Sequence, residues 1–261
     1  MDLHLDGRIA VVTGASKGIG LAVTRRLVEE GATVVAGARH QGADLPGLVA
    51  GGRVHFVPVD LSTPEGPTAL AEAAAALGGI DVLVNNAGAV SPRPGGFGSV
   101  GDDDWQATLT LTLMAAVRMV RAAVPQLRRR GGGSVVTISS VNAFLADPLV
   151  VDYSAAKAAL TNLGKSLSKE LGAEGIRVNT VSPGPVATDL WLGAGGVAET
   201  VGRSHGASAG DVAAQAAAQG VTGRFTRPEE VADLVAVLAS DRLGNVTGAD
   251  VVIDGGLTPT V

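Results

Sequence analysis

The feature that most constrains the fold is an alternation of short apolar runs with segments that carry apolar residues at helical spacing. Runs such as RIAVVT and ATVVAGA are rich in β-branched residues. They lack the alternation of polar and apolar residues found in a strand with one solvent-exposed face, as expected for strands covered on both sides. Segments such as GIGLAVTRRLVEEG place apolar residues three and four apart, which is typical of a helix. The order repeats along the chain and predicts an α/β fold: a doubly wound, Rossmann-type parallel sheet with helices on both faces.

The pattern predicts one domain over residues 1–261, because no linker, composition break or repeat divides the chain. Residues 185–223 are the exception, since they are rich in glycine and alanine and carry little strand pattern. Ligands of open α/β sheets bind outside the carboxyl ends of the strands. A long insertion at that edge is therefore predicted to be a substrate lid.

Composition excludes several function classes. The chain has no cysteine, which removes disulfides and thiolate catalysis, and its four histidines are too scattered to predict a metal site. A net charge of −5 gives no basic field for nucleic acid. The first residues lack a signal-peptide pattern and no apolar run is predicted to span a membrane, so we expect a cytoplasmic protein without a membrane partner.

A glycine-rich turn, VVTGASKGIG, follows the first predicted strand. Strand, glycine turn and helix together make a dinucleotide phosphate site, because glycine lets the backbone approach a pyrophosphate and the helix N-terminus attracts its charge. An ordinary turn between a strand and a helix fits a lone glycine triplet as well. Other motifs have to decide between the two.

The spacing T-G-x-x-x-G-x-G, together with four further motifs, resembles the classical short-chain dehydrogenase/reductase family. The motif NNAG occupies Asn85–Gly88, and Tyr153 and Lys157 form Y-x-x-x-K. Ser140 lies thirteen residues before Tyr153, the family spacing for the catalytic serine, and Pro183–Thr188 matches P-G-x-x-x-T. The resemblance covers essentially the whole chain and implies the same fold that the alternation predicts.

Three residues carry the predicted chemistry. Tyr153 and Lys157 are four residues apart and therefore share one helix face, where the cation is expected to lower the pKa of the phenol. The resemblance implies that Tyr153 is the general acid in carbonyl reduction, or the base in alcohol oxidation. It implies that Lys157 also holds the nicotinamide ribose and that Ser140 orients the carbonyl. Ser139 is the alternative serine; adjacent strand residues face opposite ways, and the spacing favours Ser140.

Thr112 departs from the family pattern. The family usually has an asparagine seven residues after a tryptophan in the long fourth helix. That asparagine supports a water in a proton relay to the lysine. In this chain the residue seven positions after Trp105 is Thr112. In the family a backbone carbonyl holds that water for the most part, so the resemblance implies that threonine is tolerated here. Its hydroxyl can also bond back to a carbonyl one turn earlier.

Cofactor choice is predicted from the end of the second strand. An acidic residue there would favour NAD, but the position is Ala38, followed by Arg39, and Lys17 lies in the glycine turn. Two cations near the expected 2′-phosphate predict NADP (NADPH). The resemblance extends the predicted cofactor-binding set to Gly14, Ser16, Lys17, Gly18, Ile19, Gly20, Arg39, Asp60, Leu61, Asn86, Ala87, Gly88, Tyr153, Lys157, Pro183, Gly184, Val186 and Thr188.

The predicted function is NADPH-dependent reduction of a ketone or 3-oxoacyl carbonyl to a secondary alcohol, or the reverse. Apolar residues in the lid favour a moderately apolar substrate, although they also fit plain packing: Leu190, Trp191, Leu192, Val197 and Val201. One alternative is an NADP-binding regulatory or scaffolding protein, for which Thr112 is the support. A lyase-like relative is disfavoured because Lys157 and the glycine turn are intact. The resemblance also implies a homotetramer, with interfaces on the long helix, the helix after Tyr153 and the last strand.

Overall fold

Seven parallel strands form one sheet in the order β3-β2-β1-β4-β5-β6-β7. The computed structural model describes residues 1–259. The strands are β1 (Ile9–Thr13), β2 (Thr33–Ala38), β3 (Val54–Pro58), β4 (Val82–Asn85), β5 (Gly133–Ile138), β6 (Ile176–Pro183) and β7 (Asp250–Ile253). The predicted doubly wound α/β fold is confirmed, and its order reverses beside β1, where β4 pairs on the side opposite β2.

Helices cover both faces of this sheet. They are α1 (Gly18–Glu29), α2 (Leu45–Ala50), α3 (Glu65–Ala76), α4 (Asp102–Leu109), α5 (Ala115–Arg129), α6 (Val151–Leu171), α7 (Asp189–Leu192), α8 (Val197–His205), α9 (Ala209–Gln219) and α10 (Pro228–Ala239). Val11 and Val12 are adjacent and fully buried, yet they belong to separate apolar clusters on opposite faces. Burial on both faces explains why successive strand residues are apolar.

The long fourth helical segment is not one regular α-helix. A π-helical turn at Thr110–Met114 separates α4 from α5. Contrary to the sequence expectation, the stretch Asp102–Arg129 is long and apolar enough to cross a membrane by length and composition, with a mean hydropathy of 1.4 over its best window. One such helix is weak evidence, because a core helix passes the same test; Met119 and Leu127 of α5 are fully buried in the apolar cluster beneath it.

Residues 185–223 contain more regular structure than their sequence pattern predicts. Three helices, α7, α8 and α9, follow β6 at the carboxyl edge of the sheet. Trp191 packs edge-on against Phe225, with ring centroids 5.3 Å apart, and Val186 forms an isolated β-bridge with Thr226. These contacts hold the start of the segment against the residues that follow its end. The lid function stays a prediction.

Candidate active site

A cleft of about 1080 Å³ opens at the carboxyl ends of the central strands. Its walls include Ser140, Tyr153 and Lys157 and all the other predicted catalytic and cofactor-binding residues except two. Gly20 lies behind the glycine turn, and Thr112 lies beneath the cleft floor in the π turn. Residues that are far apart in sequence thus meet at one edge of the sheet, as the topology requires.

The three glycines of the turn serve different purposes. Gly14 and Gly18 have φ values of +65° and +54°, which favour glycine. A side chain on Gly18 would also contact Thr188, the last residue of P-G-x-x-x-T, at 3.2 Å. At Gly20 a Cβ would lie 2.2 Å from the Gly14 carbonyl oxygen, so Gly20 permits close packing of α1 on the turn rather than contact with a ligand.

The NNAG motif fastens β4 to the glycine turn. The backbone amides of Asn86 and Ala87 donate to the Thr13 hydroxyl at 2.9 and 3.0 Å. The Asn86 side-chain amide donates to the carbonyls of Thr13, at 2.9 Å, and Gly14, at 3.2 Å. Besides its predicted contact with the cofactor, Asn86 therefore also holds the glycine turn in place, which its motif did not reveal.

Tyr153 and Lys157 share one face of α6, and Ser140 faces them from the end of β5. Lys157 Nζ lies 5.5 Å from the Tyr153 ring centroid and donates to the Ile138 carbonyl at 2.7 Å. Ser140 and Tyr153 line the same cleft, and the Ser140 hydroxyl donates to the side-chain oxygen of Asn142 at 3.1 Å. By contrast, the Ser139 hydroxyl is occupied by a hydrogen bond with Thr161 at 2.6 Å, although Ser139 also lines the cleft. This geometry favours Ser140 over Ser139.

Burial sets the pKa values of the two groups. It raises the pKa of Tyr153 to about 12, against the opposing interaction with Ser140, and lowers the pKa of Lys157 to about 8. The expected lowering of the Tyr153 pKa is thus wrong for this structure, because burial of the phenol is the dominant cause and only Ser140 opposes it. At neutral pH the tyrosine keeps its proton and most of the lysine stays charged.

Thr112 is completely buried in the π turn, and its hydroxyl has no hydrogen-bond partner among residues 1–259. The bond back to a carbonyl one turn earlier, which the sequence allows, is therefore not formed in this π turn. A Cβ built on Gly88 would lie 3.7 Å from Lys157 Nζ and 3.8 Å from Thr112 Oγ1, so both polar groups border the same backbone. Asn85, a residue outside the predicted site, is also buried, with both side-chain polar atoms unpaired within the described part of the chain.

Replacing Thr112 with asparagine is expected to change kcat by less than about tenfold, under roughly 1.4 kcal/mol of barrier. The π turn reorganises the backbone that would support a relay water, so the side chain is of secondary importance. Steady-state kinetics measure the effect, after circular dichroism has established that the variant folds. A gain far beyond tenfold would show that threonine disables proton resupply.

At the other end of the cleft, Lys17 and Arg39 are exposed side chains that line the wall. The loop after β2 passes so close to the glycine turn that a Cβ on Gly42 would lie 2.8 Å from the Ser16 carbonyl oxygen. Hydrogen bonds from Ser62 lower the pKa of the Asp60 carboxyl. The charge of Arg39 lowers it as well, but by less. Both cations thus border the same end of the cleft.

Several wall residues carry no motif, and sequence reasoning misses them. They come from the segments after β4 and β5 and from α9, and include Pro92, Asn142, Asp147, Leu149, Gln215 and Gln219. Of the lid residues proposed to face a substrate, Leu192 does not line the cleft and is 52% exposed. Which side of a short lid helix faces the cleft depends on packing that no local pattern encodes.

Comparison with known proteins agrees with this geometry. A family model described as enoyl-(acyl carrier protein) reductase matches residues 14–258. The chain is 37% identical to cis-4-hydroxycyclohexanecarboxylate dehydrogenase of Sinomonas cyclohexanicum, over 96% of each chain, and 36% identical to D-threitol dehydrogenase of Mycolicibacterium smegmatis, over 98% of this chain and 95% of that one. The crystal structure of L-sorbose reductase from Gluconobacter frateurii, complexed with NADPH and L-sorbose, superposes with a TM-score of 0.91 at 35% identity, and each chain is fully covered.

A parallel sheet with a glycine turn at its switch point and a tyrosine–lysine pair in the cleft defines the class of dinucleotide-binding oxidoreductases. Within that class, the chain belongs to the short-chain dehydrogenase/reductase family.

Proposed function

We propose that this protein is an NADPH-dependent oxidoreductase that interconverts a carbonyl compound and a secondary alcohol. One observation carries the proposal: Ser140, Tyr153 and Lys157 lie in the same cleft as the glycine turn that begins at Gly14. A tyrosine–lysine pair alone would be an ordinary helix contact. Placed opposite a phosphate-binding turn, it brings a proton donor to the place where a nicotinamide ring would lie.

The turn fits a dinucleotide by its shape. Gly14 and Gly18 keep the backbone bare where side chains would otherwise contact Asn86 and Thr188, and the N-terminus of α1 faces the cleft. Gly14, Ser16, Gly18 and Ile19 would hold the pyrophosphate. When bound, the nicotinamide supplies or accepts the hydride.

The chain's own residues handle the proton and the substrate oxygen. With its pKa raised to about 12, Tyr153 holds its proton at neutral pH and can donate it to a carbonyl oxygen. The Ser140 hydroxyl hydrogen-bonds that oxygen and stabilises the charge developing on it. The Lys157 ammonium, held by the Ile138 carbonyl, stabilises the phenolate that is left behind. Reduction at neutral pH is the direction that this arrangement favours.

NADPH is expected to bind at least about tenfold more tightly than NADH, a difference of roughly 1.4 kcal/mol. Lys17 and Arg39 can pair with a 2′-phosphate, and the buried Ala38 offers no carboxylate to a ribose hydroxyl. Calorimetric titration with both nucleotides measures the ratio, and Arg39→Gln serves as the variant that should reduce it. Equal affinities, or tighter NADH, would contradict this cofactor assignment.

The substrate is proposed to be a small ketone or secondary alcohol with both apolar and polar surface. Trp191, Leu149 and Val201 line the same cleft as Asn142 and Gln219. The activity test is consumption of reduced nicotinamide across a panel of ketones, and the reverse with secondary alcohols. L-Sorbose, D-threitol and cis-4-hydroxycyclohexanecarboxylate belong in the panel because similar proteins are named for them.

A second candidate is a regulatory or scaffolding protein that binds NADP and turns over slowly. The buried, unpaired Thr112 hydroxyl beneath Lys157 is the observation that favours it, because the usual relay asparagine is replaced. Tight NADPH binding with no turnover across the panel would support this candidate over the first.

The protein is expected to form a homotetramer. Phe144 is 47% exposed beside α6, at a groove of about 400 Å³ that also includes Ala158 and Asp250, and Val252 of β7 is 43% exposed. These are the surfaces on which the family resemblance places subunit interfaces, and burying them removes apolar area from water. Light scattering at micromolar concentration measures the mass; a stable monomer would contradict this expectation.

A further inference from the structure

A buried ion pair joins the loop after β4 to the start of α6. Arg93 Nη2 lies 2.6 Å from Asp152 Oδ2, and Arg93 Nη1 lies 2.9 Å from Asp104 Oδ1 in the first turn of α4. The side chains of Asp152 and Arg93 are only 1% and 16% exposed. One guanidinium group therefore connects a loop and two helices.

Asp152 is held from a second side as well. The Thr108 hydroxyl of α4 donates to Asp152 Oδ2 at 2.7 Å. Burial raises the pKa of Asp152, but the hydrogen bonds from Arg93 and Thr108 outweigh burial, so that its pKa lies below the ordinary value. The carboxylate is thus ionised at neutral pH and can pair with the Arg93 guanidinium.

Both partners are attached to walls of the cleft. Asp152 immediately precedes Tyr153, and Arg93 immediately follows Pro92, which lines the cleft. The backbone amide of Arg93 also donates to the carbonyl of Leu149, another wall residue, at 2.7 Å. The ion pair therefore ties the loop wall of the substrate end to the helix that carries the tyrosine.

We propose that Arg93 and Asp152 are positioning residues, which fix the loop containing Val90 and Pro92 relative to Tyr153 and so orient the substrate carbonyl toward the phenol. The proposal rests on the role proposed above for Tyr153. Replacing a buried ion pair with apolar residues often costs no stability. A contribution to stability is therefore a weak explanation for the presence of this pair beside the cleft. The glycine turn and Arg39 belong to other segments, so the effect should be confined to the substrate end.

A second ion pair to a buried carboxylate, remote from the cleft, provides a control: Arg130 is 37% exposed, and its partner Asp81 also lies 3.4 Å from Arg8. Arg130 Nε and Nη2 lie 3.0 and 3.1 Å from the carboxylate of Asp81, which is 3% exposed. Asp81 also accepts from the backbone amide of Ile9, the first residue of β1, so this pair lies at the amino edge of the sheet, opposite the cleft. Arg93→Gln and Arg130→Gln each remove one guanidinium from a buried carboxylate, but only Arg93 touches a cleft wall.

Arg93→Gln is expected to lower kcat/KM for the best carbonyl substrate at least about tenfold more than Arg130→Gln, a difference of roughly 1.4 kcal/mol. The Kd for NADPH should stay close to that of the unmodified protein in both variants. Arg93→Lys, which keeps a cation beside Asp152, should recover part of the loss. Equal kcat/KM values for the two glutamine variants, or an equal loss of NADPH affinity and substrate turnover in Arg93→Gln, would overturn the proposal.

Hydrogen exchange provides a readout that does not depend on turnover. The first two turns of α6 should exchange faster in Arg93→Gln than in Arg130→Gln, because the ion pair holds this helix end against the loop. Unchanged exchange there would overturn the positioning role, whether or not any carbonyl is reduced. A different pair of results would contradict the proposed function of Tyr153 instead. In that case hydrogen exchange would be faster in Arg93→Gln, but the unmodified protein would turn over no substrate.

Thr108→Val keeps the test decisive if Arg93→Gln does not fold. This substitution preserves the ion pair and the side-chain volume but removes one hydrogen bond to Asp152. A rise in substrate KM of about threefold with unchanged NADPH affinity is expected, because one hydrogen bond to the charged group that holds the loop is lost. Substrate kinetics identical to those of the unmodified protein would count against the proposal.

Discussion

Replacing Tyr153 with phenylalanine is expected to reduce kcat by about 10³-fold or more, because general acid–base groups contribute on the order of 10²–10⁴-fold and no other phenol is present. The substitution removes the hydroxyl and keeps the ring that packs near Lys157. NADPH affinity should therefore change little. Single-turnover kinetics and calorimetric titration of the same preparation measure the two quantities separately.

The buried environment of Tyr153 sharpens this expectation. Because its pKa is raised to about 12, the phenol is protonated across the neutral range, so the rate of carbonyl reduction should not depend on titration of this group. Lys157, with a pKa lowered to about 8, loses its charge in alkali and is the group whose titration would limit the rate there. Near-normal turnover by Tyr153→Phe would mean that another group donates the proton.

The parts of the site that sequence predicts are those with strict local requirements. Gly14 and Gly18 adopt a left-handed backbone that few other residues tolerate, so the turn is marked directly in the sequence. Tyr153 and Lys157 share a helix face because of their spacing, and the spacing alone is enough to derive it. The strands of the central sheet are recognisable for a similar reason, since burial on both faces leaves few polar residues in them.

The parts that sequence misses depend on contacts between distant segments. Arg93 and Asp152 are separated by 59 residues, and neither belongs to a motif, so their pairing emerges only from the fold. The π turn around Thr112 cannot be predicted from the sequence either, because its residues also suit a regular α-helix. The sequence predicts the wrong sign for the shift in the Tyr153 pKa, since spacing reveals the neighbouring cation but not the extent of burial.

The helices of residues 185–223 show a further limit. The sequence of α9 is rich in alanine, which distinguishes its faces poorly, and α7 is only a four-residue helix. Its position is set by the contact of Trp191 with Phe225, a residue beyond the segment. Composition marks this stretch as unusual and locates it at the ligand edge, but its internal structure comes from tertiary packing.

Replacing Ser140 with alanine is expected to lower kcat/KM by about 10²-fold, since loss of one donor to a developing oxyanion commonly costs on the order of 10²–10³-fold. Ser139→Ala is the matched control, because it removes the same atom from the neighbouring residue. Ser139 also lines the cleft, but its hydroxyl is bonded to Thr161 and to the Lys157 carbonyl and is therefore occupied within the protein.

The two serine variants separate chemistry from packing. Ser139→Ala leaves Thr161 without its 2.6 Å partner and should cost stability of about 1 kcal/mol, while kcat/KM changes less than about threefold. Ser140→Ala should show the reverse, a large kinetic loss with a small change in the free energy of unfolding, because its hydroxyl lines the cleft and bonds mainly within its own turn to Asn142. Thermal unfolding and steady-state kinetics measure the change in the free energy of unfolding and the change in kcat/KM for each variant. If the larger kinetic loss occurred in Ser139→Ala, the assignment of the catalytic serine from its thirteen-residue spacing to Tyr153 would be wrong.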